Sequence, residues 1–197
     1  VDHCIFKGNS ATQWGGGICN IGPGTTTLVN SLFYQNTAQS GGAAFSNMDA
    51  QPKFINVTIA NNTAGENGGA VHNYNRAETE LTNCIVWGNK RWASSSQLYT
   101  ADMGKTKVYF SVLEGGAAAI IGERESAGIV SQSPLFTDTT SGNFTLQTCS
   151  PAINIGPAAY STGLSPIWPA TPGSWELQMQ ERISPRQPIC PVLIVLL

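Results

Sequence analysis

Phe54-Ile55-Asn56-Val57-Thr58-Ile59-Ala60-Asn61-Asn62, followed by Gly68-Gly69-Ala70-Val71, decides the fold, because both segments recur at one interval along the chain. The closing Asn62 has counterparts at Asn9, Asn36 and Asn89, at intervals of 27, 26 and 27 residues. Each follows an apolar residue three positions earlier: Phe6, Phe33, Ile59 and Val86. The glycine marker recurs as Gly15-Gly16-Gly17-Ile18, Gly41-Gly42-Ala43-Ala44 and, degenerate, Ser95-Ser96-Gln97-Leu98. Phe54 stands in a third column with Val1, Leu28, Leu81 and Val108. Three columns keeping one period identify an array of stacked units.

The unit holds no helix. Gly, Asn, Ser and Thr interrupt every stretch, so apolar spacing of three and four is never sustained. Short runs rich in Val, Ile, Thr and Phe, such as Val108-Tyr109-Phe110-Ser111-Val112-Leu113, read as strands bounded by Gly and Asn turns. The length of the unit suits three short strands, each one side of a coil, with successive coils pairing in parallel about 4.8 Å apart. The expected fold is all-β, a parallel β-helix (solenoid) of about five coils.

The columns separate inside from outside. Val1/Leu28/Phe54/Leu81/Val108 and Phe6/Phe33/Ile59/Val86/Leu113 are apolar throughout and fill the bore. Ile18/Ala44/Val71/Leu98 are expected to supply the third wall. His3/Asn30/Asn56/Asn83 fall between inward-facing columns, where the chain must bend. Asn tolerates left-handed backbone, and its amide can bond the next Asn in the stack, so this column reads as an asparagine ladder.

Composition narrows the function. Charged residues are 11%, and the net charge of −2 leaves no footprint for nucleic acid or an anionic membrane. Five cysteines form no short paired motif; Cys4 and Cys84 share an inward column three coils apart, beyond disulfide reach, and no disulfide framework is expected. His3 and His72 stand alone, so neither a metal site nor a cofactor is expected. The sequons at Asn56, Asn61 and Asn143 are accidental matches in an Asn- and Thr-rich repeat. The apolar run Pro191–Leu197 is too short for a bilayer, which needs about 20 residues. Val1 falls in mid-coil, which reads as a piece of a longer protein whose other coils are its neighbours.

In such a stack, chemistry belongs to outward columns. One is Cys19/Phe45/His72/Tyr99, where Phe45 and Tyr99 are expected to flank His72 in an exposed aromatic strip. Flat aromatic faces suit sugar rings, and His72 is the candidate proton-transfer group. The bland reading is a stacked surface ladder that stabilises its strands. The other is Thr27/Lys53/Glu80/Lys107, beside Thr25/Gln51/Glu78/Lys105. The Glu78–Glu80 carboxylates suit Ca²⁺ binding or acid/base work on a glycosidic bond. Lysines on both sides make a structural ion ladder the simpler reading.

The alternation of a GGA-type glycine marker with a Phe-x-x-Asn marker resembles the repeats of bacterial polymorphic outer-membrane proteins and related right-handed parallel β-helix proteins. Ser133-Pro134-Leu135-Phe136, Gly142-Asn143-Phe144-Thr145-Leu146 and Cys149-Ser150-Pro151-Ala152-Ile153-Asn154-Ile155-Gly156 resemble the closing choice-of-anchor Q module of secreted bacterial β-helices. The resemblance implies a right-handed coil, a secreted or surface-displayed bacterial protein, and a superfamily that includes pectate-lyase-like polysaccharide enzymes. It divides the chain into coils at 1–116, a closing module at 117–156 and an atypical tail at 157–197. Beyond Gly156 the family pattern fails, and Pro166–Gly173 is compatible with a one-nucleotide frameshift. The superfamily's catalytic motifs map onto no residue here, since Asp49, Glu66, Asp102 and Glu114 are scattered over turns. The expected role is a structural or adhesin-like stalk that touches polysaccharide or a cell-surface glycan. A polysaccharide lyase or glycoside hydrolase is the alternative.

Overall fold

The computed structural model describes residues 1–156, so the tail expected at 157–197 and its frameshift lie outside the described residues. The chain winds into a parallel β-solenoid. The first four coils have four strands each where the sequence suggests three, because the extra strand is only two residues long. The first wall stacks Ile5–Lys7, Leu32–Tyr34, Thr58–Ala60, Ile85–Trp87 and Val112–Leu113. The second, unforeseen wall stacks Ser10–Ala11, Thr37–Ala38, Thr63–Ala64 and Lys90–Arg91, and ends in an antiparallel strand, Ser94–Ser95. The third stacks Ile18–Ile21, Phe45–Met48, Val71–Tyr74, Leu98–Thr100 and Ile120–Ile121. The fourth stacks Thr27–Val29, Lys53–Ile55, Glu78–Thr82, Lys105–Tyr109 and Arg124–Ala127.

Left-handed residues turn the chain at all four corners. His3, Asn30, Asn56 and Asn83 have φ of 50°, 48°, 54° and 55°, a region where Asn is far commoner than other side chains. Gly8/Gln35/Asn61/Gly88, Gly15/Gly42/Gly68 and Gly22/Asp49/Asn75/Asp102 make the other corners in the same way. At Gly42 space also matters: a Cβ would lie 2.5 Å from the Phe45 carbonyl oxygen. The corner asparagines are linked as expected, with Asn56 Nδ2 donating to Asn30 Oδ1 at 3.2 Å and Asn83 Nδ2 to Asn56 Oδ1.

The bore is apolar at its centre. Leu28, Phe33, Phe54, Ile59, Leu81, Val86, Val108 and Leu113 are all fully buried, in the register the sequence implies. Phe6 stacks on Phe33 with centroids 4.3 Å apart, and Phe45 meets Phe54 edge-on at 4.9 Å. Val1, at the end of its column, stays 55% exposed.

The asparagines that mark the beat form a second, more deeply buried ladder. Both the N–H and the Nδ2 of Asn9, Asn36 and Asn62 donate to the Oδ1 of the next ladder asparagine, at 2.8 to 3.1 Å. Burying an amide requires such partners, and here each member is bonded along the stack. Gln97 ends the ladder, accepting from Asn89 Nδ2 at 2.9 Å and returning Nε2–H to the Asn89 carbonyl at 3.1 Å. Beyond the coils, Phe136–Asp138 and Asn143–Leu146 form an antiparallel hairpin. Its Phe144 packs edge-on against Tyr34 at 5.0 Å, so the closing segment lies against the outside of the first wall.

Candidate functional site

Alternation along the third wall decides what reaches solvent. Ile18, Phe45, Val71, Leu98 and Ile120 form the inward column, with Asn20, Asn47, Asn73 and Thr100 beside it. Cys19, Ser46, His72, Tyr99 and Ile121 form one outward column; Ile21, Met48 and Tyr74 form a second. Cys19, Ser46 and His72 of the first column and all three of the second line a groove with Trp14 across three coils. Ile21 is 69% exposed, Tyr74 41% and Trp14 40%.

Phe45 is not part of this face. The sequence places it beside Cys19 and His72, but it is fully buried, pairs with Ile18 and Val71, and belongs to the bore. Aligning Gly15 with Gly41 shifts the wall by one residue, and in a strand that shift exchanges the two faces. The left-handed glycine is Gly42, six residues after Asn36, as Gly15 is six after Asn9 and Gly68 six after Asn62. Counting from the ladder asparagine therefore finds the correct column. Ser46 takes the place expected of Phe45, Ala44 leaves the inward column, and the aromatic contribution comes from Trp14 and Tyr74.

His72 and Tyr99 do meet, with ring centroids 5.4 Å apart; Tyr74 lies 6.4 Å from the imidazole on the other side. His72 is buried, and its Nδ1 has no hydrogen-bond partner. Nδ1 is pressed against Gly41, where a Cβ would lie 2.8 Å away. Burial lowers the imidazole pKa, and the negative charge of Glu66 offsets this in part. The ring is thus neutral near pH 7.

The fourth wall carries the second candidate column in the expected register. Glu80 lies between Lys53 and Lys107, Glu78 pairs with Lys105, and Glu125 continues the alternation above Lys107. Lys107 Nζ donates to Glu78 Oε1, and Lys105 Nζ lies 3.1 Å from Glu125. The bond to Glu78 raises the Lys107 pKa, and donation from Tyr109 Oη lowers that of Glu125. Such ladders neutralise one another across coils.

The sequence misses a third polar column, although Asn20, Asn47 and Asn73 keep the period. Asn47 Nδ2 donates to Asn73 Oδ1 at 3.0 Å and Asn73 Nδ2 to Thr106 Oγ1 at 2.8 Å, tying the third wall to the fourth. Cys4, Cys19 and Cys84 are free thiols; burial pushes Cys84 up to about 12 and raises Cys19 as well, so neither is activated. Cys149 is disulfide-bonded, contrary to the expectation of no disulfide. Among the described residues no group of three His, Cys, Asp or Glu gathers as a metal site, and no helix is long and apolar enough to cross a membrane.

Two segments match the Chlamydia polymorphic membrane protein (Chlamydia_PMP) repeat, residues 3–21 and 56–74. They are equivalent in space: each begins at a left-handed corner, His3 or Asn56, and ends in the outward column of the third wall, Ile21 or Tyr74. The repeat unit therefore spans the first three walls. Its family implies a bacterial protein of the outer membrane or cell surface. No curated protein and no solved structure matches the chain.

Proposed function

We propose, on the premise that this chain is a polymorphic-membrane-protein-like β-helix repeat protein, that it is a stiff, adhesin-like stalk at the bacterial surface or in the secreted space. Its third wall binds a polysaccharide or cell-surface glycan. The observation that carries this reading is the groove of Trp14, Ile21, Met48 and Tyr74, an apolar and aromatic surface built across consecutive coils and left open to solvent. Ligand sites are mostly apolar and aromatic with a few polar groups that fix orientation, and Ser46 at the groove floor is such a group. The planar faces of Trp14, Tyr74 and Tyr99 suit the apolar face of a sugar ring.

An enzymatic reading gains nothing from the arrangement of Glu78, Glu80 and His72. Lys107 engages Glu78, Glu80 lies in register between Lys53 and Lys107, and the imidazole lies on a different wall. A glycan array combined with a reducing-end assay tests the proposal. Binding without turnover, lost in Trp14→Ala with Tyr74→Ala, is the expected result. Release of unsaturated or reducing ends that depends on Glu80 or His72 would overturn it.

A further inference from the structure

In a solenoid, residues that serve the stack repeat from coil to coil, so a column that breaks its own repeat serves something else. The second wall breaks once. Three coils build it from small residues: Ser10-Ala11, Thr37-Ala38 and Thr63-Ala64. The fourth puts Lys90-Arg91 there, then Trp92. From ladder asparagine to third wall is nine residues in every coil, 9 to 18, 36 to 45, 62 to 71 and 89 to 98, so nothing has been inserted. Instead the same length folds back as a hairpin, Lys90 pairing with Ser95 and Arg91 with Ser94 around Trp92-Ala93.

Trp92 is the strained point of this hairpin. It has φ of 50° and belongs to none of the four corner columns. A two-residue turn with a left-handed first position normally takes glycine there, and a bulky residue in that conformation is an outlier. The side chain gains no packing in return, being 74% exposed. Its N–H is bonded to the Ala64 carbonyl at 3.0 Å, which holds the turn in place. Strain kept without compensating burial marks a functional position.

Two free cations directly precede Trp92 in the chain. Lys90 and Arg91 are exposed, and among the described residues neither forms an ion pair; Arg91 reaches only Asn67 Oδ1, at 3.4 Å. Below them the outer face of the wall is hydroxylic, with Thr37 Oγ1 donating to Ser10 Oγ at 3.1 Å and Thr63 next in the stack. We propose that this hairpin is a second binding site, for a linear polysaccharide bearing carboxylate or sulfate groups. Lys90 and Arg91 take the anionic substituents, Trp92 stacks on a sugar ring, and the Ser10/Thr37/Thr63 column meets the hydroxyls of the continuing chain. An anionic membrane is the poorer fit, because Ala93, Ser94 and Ser95 give the tip no large apolar residue beyond Trp92 to insert.

The site stands apart from the third-wall groove and is tested separately on the full chain. Heparin and polygalacturonate are titrated as probes, with neutral dextran as control and phosphatidylserine vesicles as the membrane arm. Both anionic polymers are expected to bind, more weakly as salt rises. Trp92→Gly should weaken them about tenfold while leaving Tm unchanged or higher, since it relieves the turn. Lys90→Ser with Arg91→Ala, which gives the residues of the first coil, should remove the salt dependence. Tyr74→Ala should leave this binding intact. Failure of the parent to bind either polymer would overturn the proposal. So would unchanged binding in Trp92→Gly with a lowered Tm, which would make the tip structural, or a Trp92-dependent partition onto vesicles alone.

Discussion

Asn62 donates twice to one oxygen of Asn89, from Nδ2 at 2.8 Å and from its backbone N–H at 3.1 Å, and neither residue has any exposed surface. The same Oδ1 position in Asn62 receives two donors from Asn36. Asn62→Ala therefore strands the Asn36 N–H, takes a partner from the Asn36 amide and the Phe33 carbonyl, and removes one of the two donors to Asn89 Oδ1. Each buried orphan costs about 1–3 kcal/mol, so a loss of roughly 3 kcal/mol or more is expected. A urea melt gives the figure, and a shift within about 0.5 kcal/mol, the range of surface changes, would show the ladder is not holding the coils.

Phe45 and Tyr74 test which side of the third wall faces the bore. Phe45→Ala should cost about 3–5 kcal/mol, the usual penalty for emptying an aromatic core position. Tyr74→Ala, on the exposed face, should cost about 1 kcal/mol or less. Equal losses in chemical denaturation would contradict the assigned register.

Gly41 and His72 are predicted to couple. A methyl group at Gly41 would meet Nδ1 at 2.8 Å and the Asn67 carbonyl oxygen at 2.9 Å. Gly41→Ala should destabilise by about 1–3 kcal/mol, as overpacking does. His72→Ala should return part of that in the double mutant, leaving a coupling of about 0.5 kcal/mol or more in a double-mutant cycle. Strict additivity would mean that the imidazole does not lie over Gly41.

His72 also makes stability depend on pH in one direction. Burial lowers its folded pKa below the ordinary 6.5 of the unfolded chain. Between those two values the unfolded state binds more protons, so stability rises with pH there. The contribution is complete above 6.5 and is lost as pH falls through that value towards the folded pKa. His72→Phe should flatten this part of a Tm-against-pH curve; an unaltered slope would place the titration elsewhere.

Most of the architecture is legible because stacking makes sequence columns into spatial ones. Leu28, Phe54, Leu81 and Val108 pair as their spacing demands, and so do Lys53, Glu80 and Lys107. Asn30, Asn56 and Asn83 bend the chain as their backbone tolerance suggests. What escapes notice is short or offset. Thr63-Ala64 is too brief to show alternation, so the second wall goes unseen. Intervals of 26 and 27 alternate, and a glycine pair read one place early turns Phe45 outward. Lys90-Arg91-Trp92 breaks the Ser/Thr-Ala repeat in the sequence, but only the folded turn shows the strained backbone of Trp92 and its exposure.

Register in the third wall is the claim on which the proposed groove rests, and Cys19 measures it directly. Cys19 and Ser46 are paired outward neighbours on adjacent strands, a separation of about 4.8 Å that lies within disulfide reach. Mild oxidation of Ser46→Cys, read by peptide mass spectrometry, should give a cross-link to Cys19, and Phe45→Cys should give none. A bond from Cys19 to the thiol introduced at position 45, with none at 46, would contradict the account.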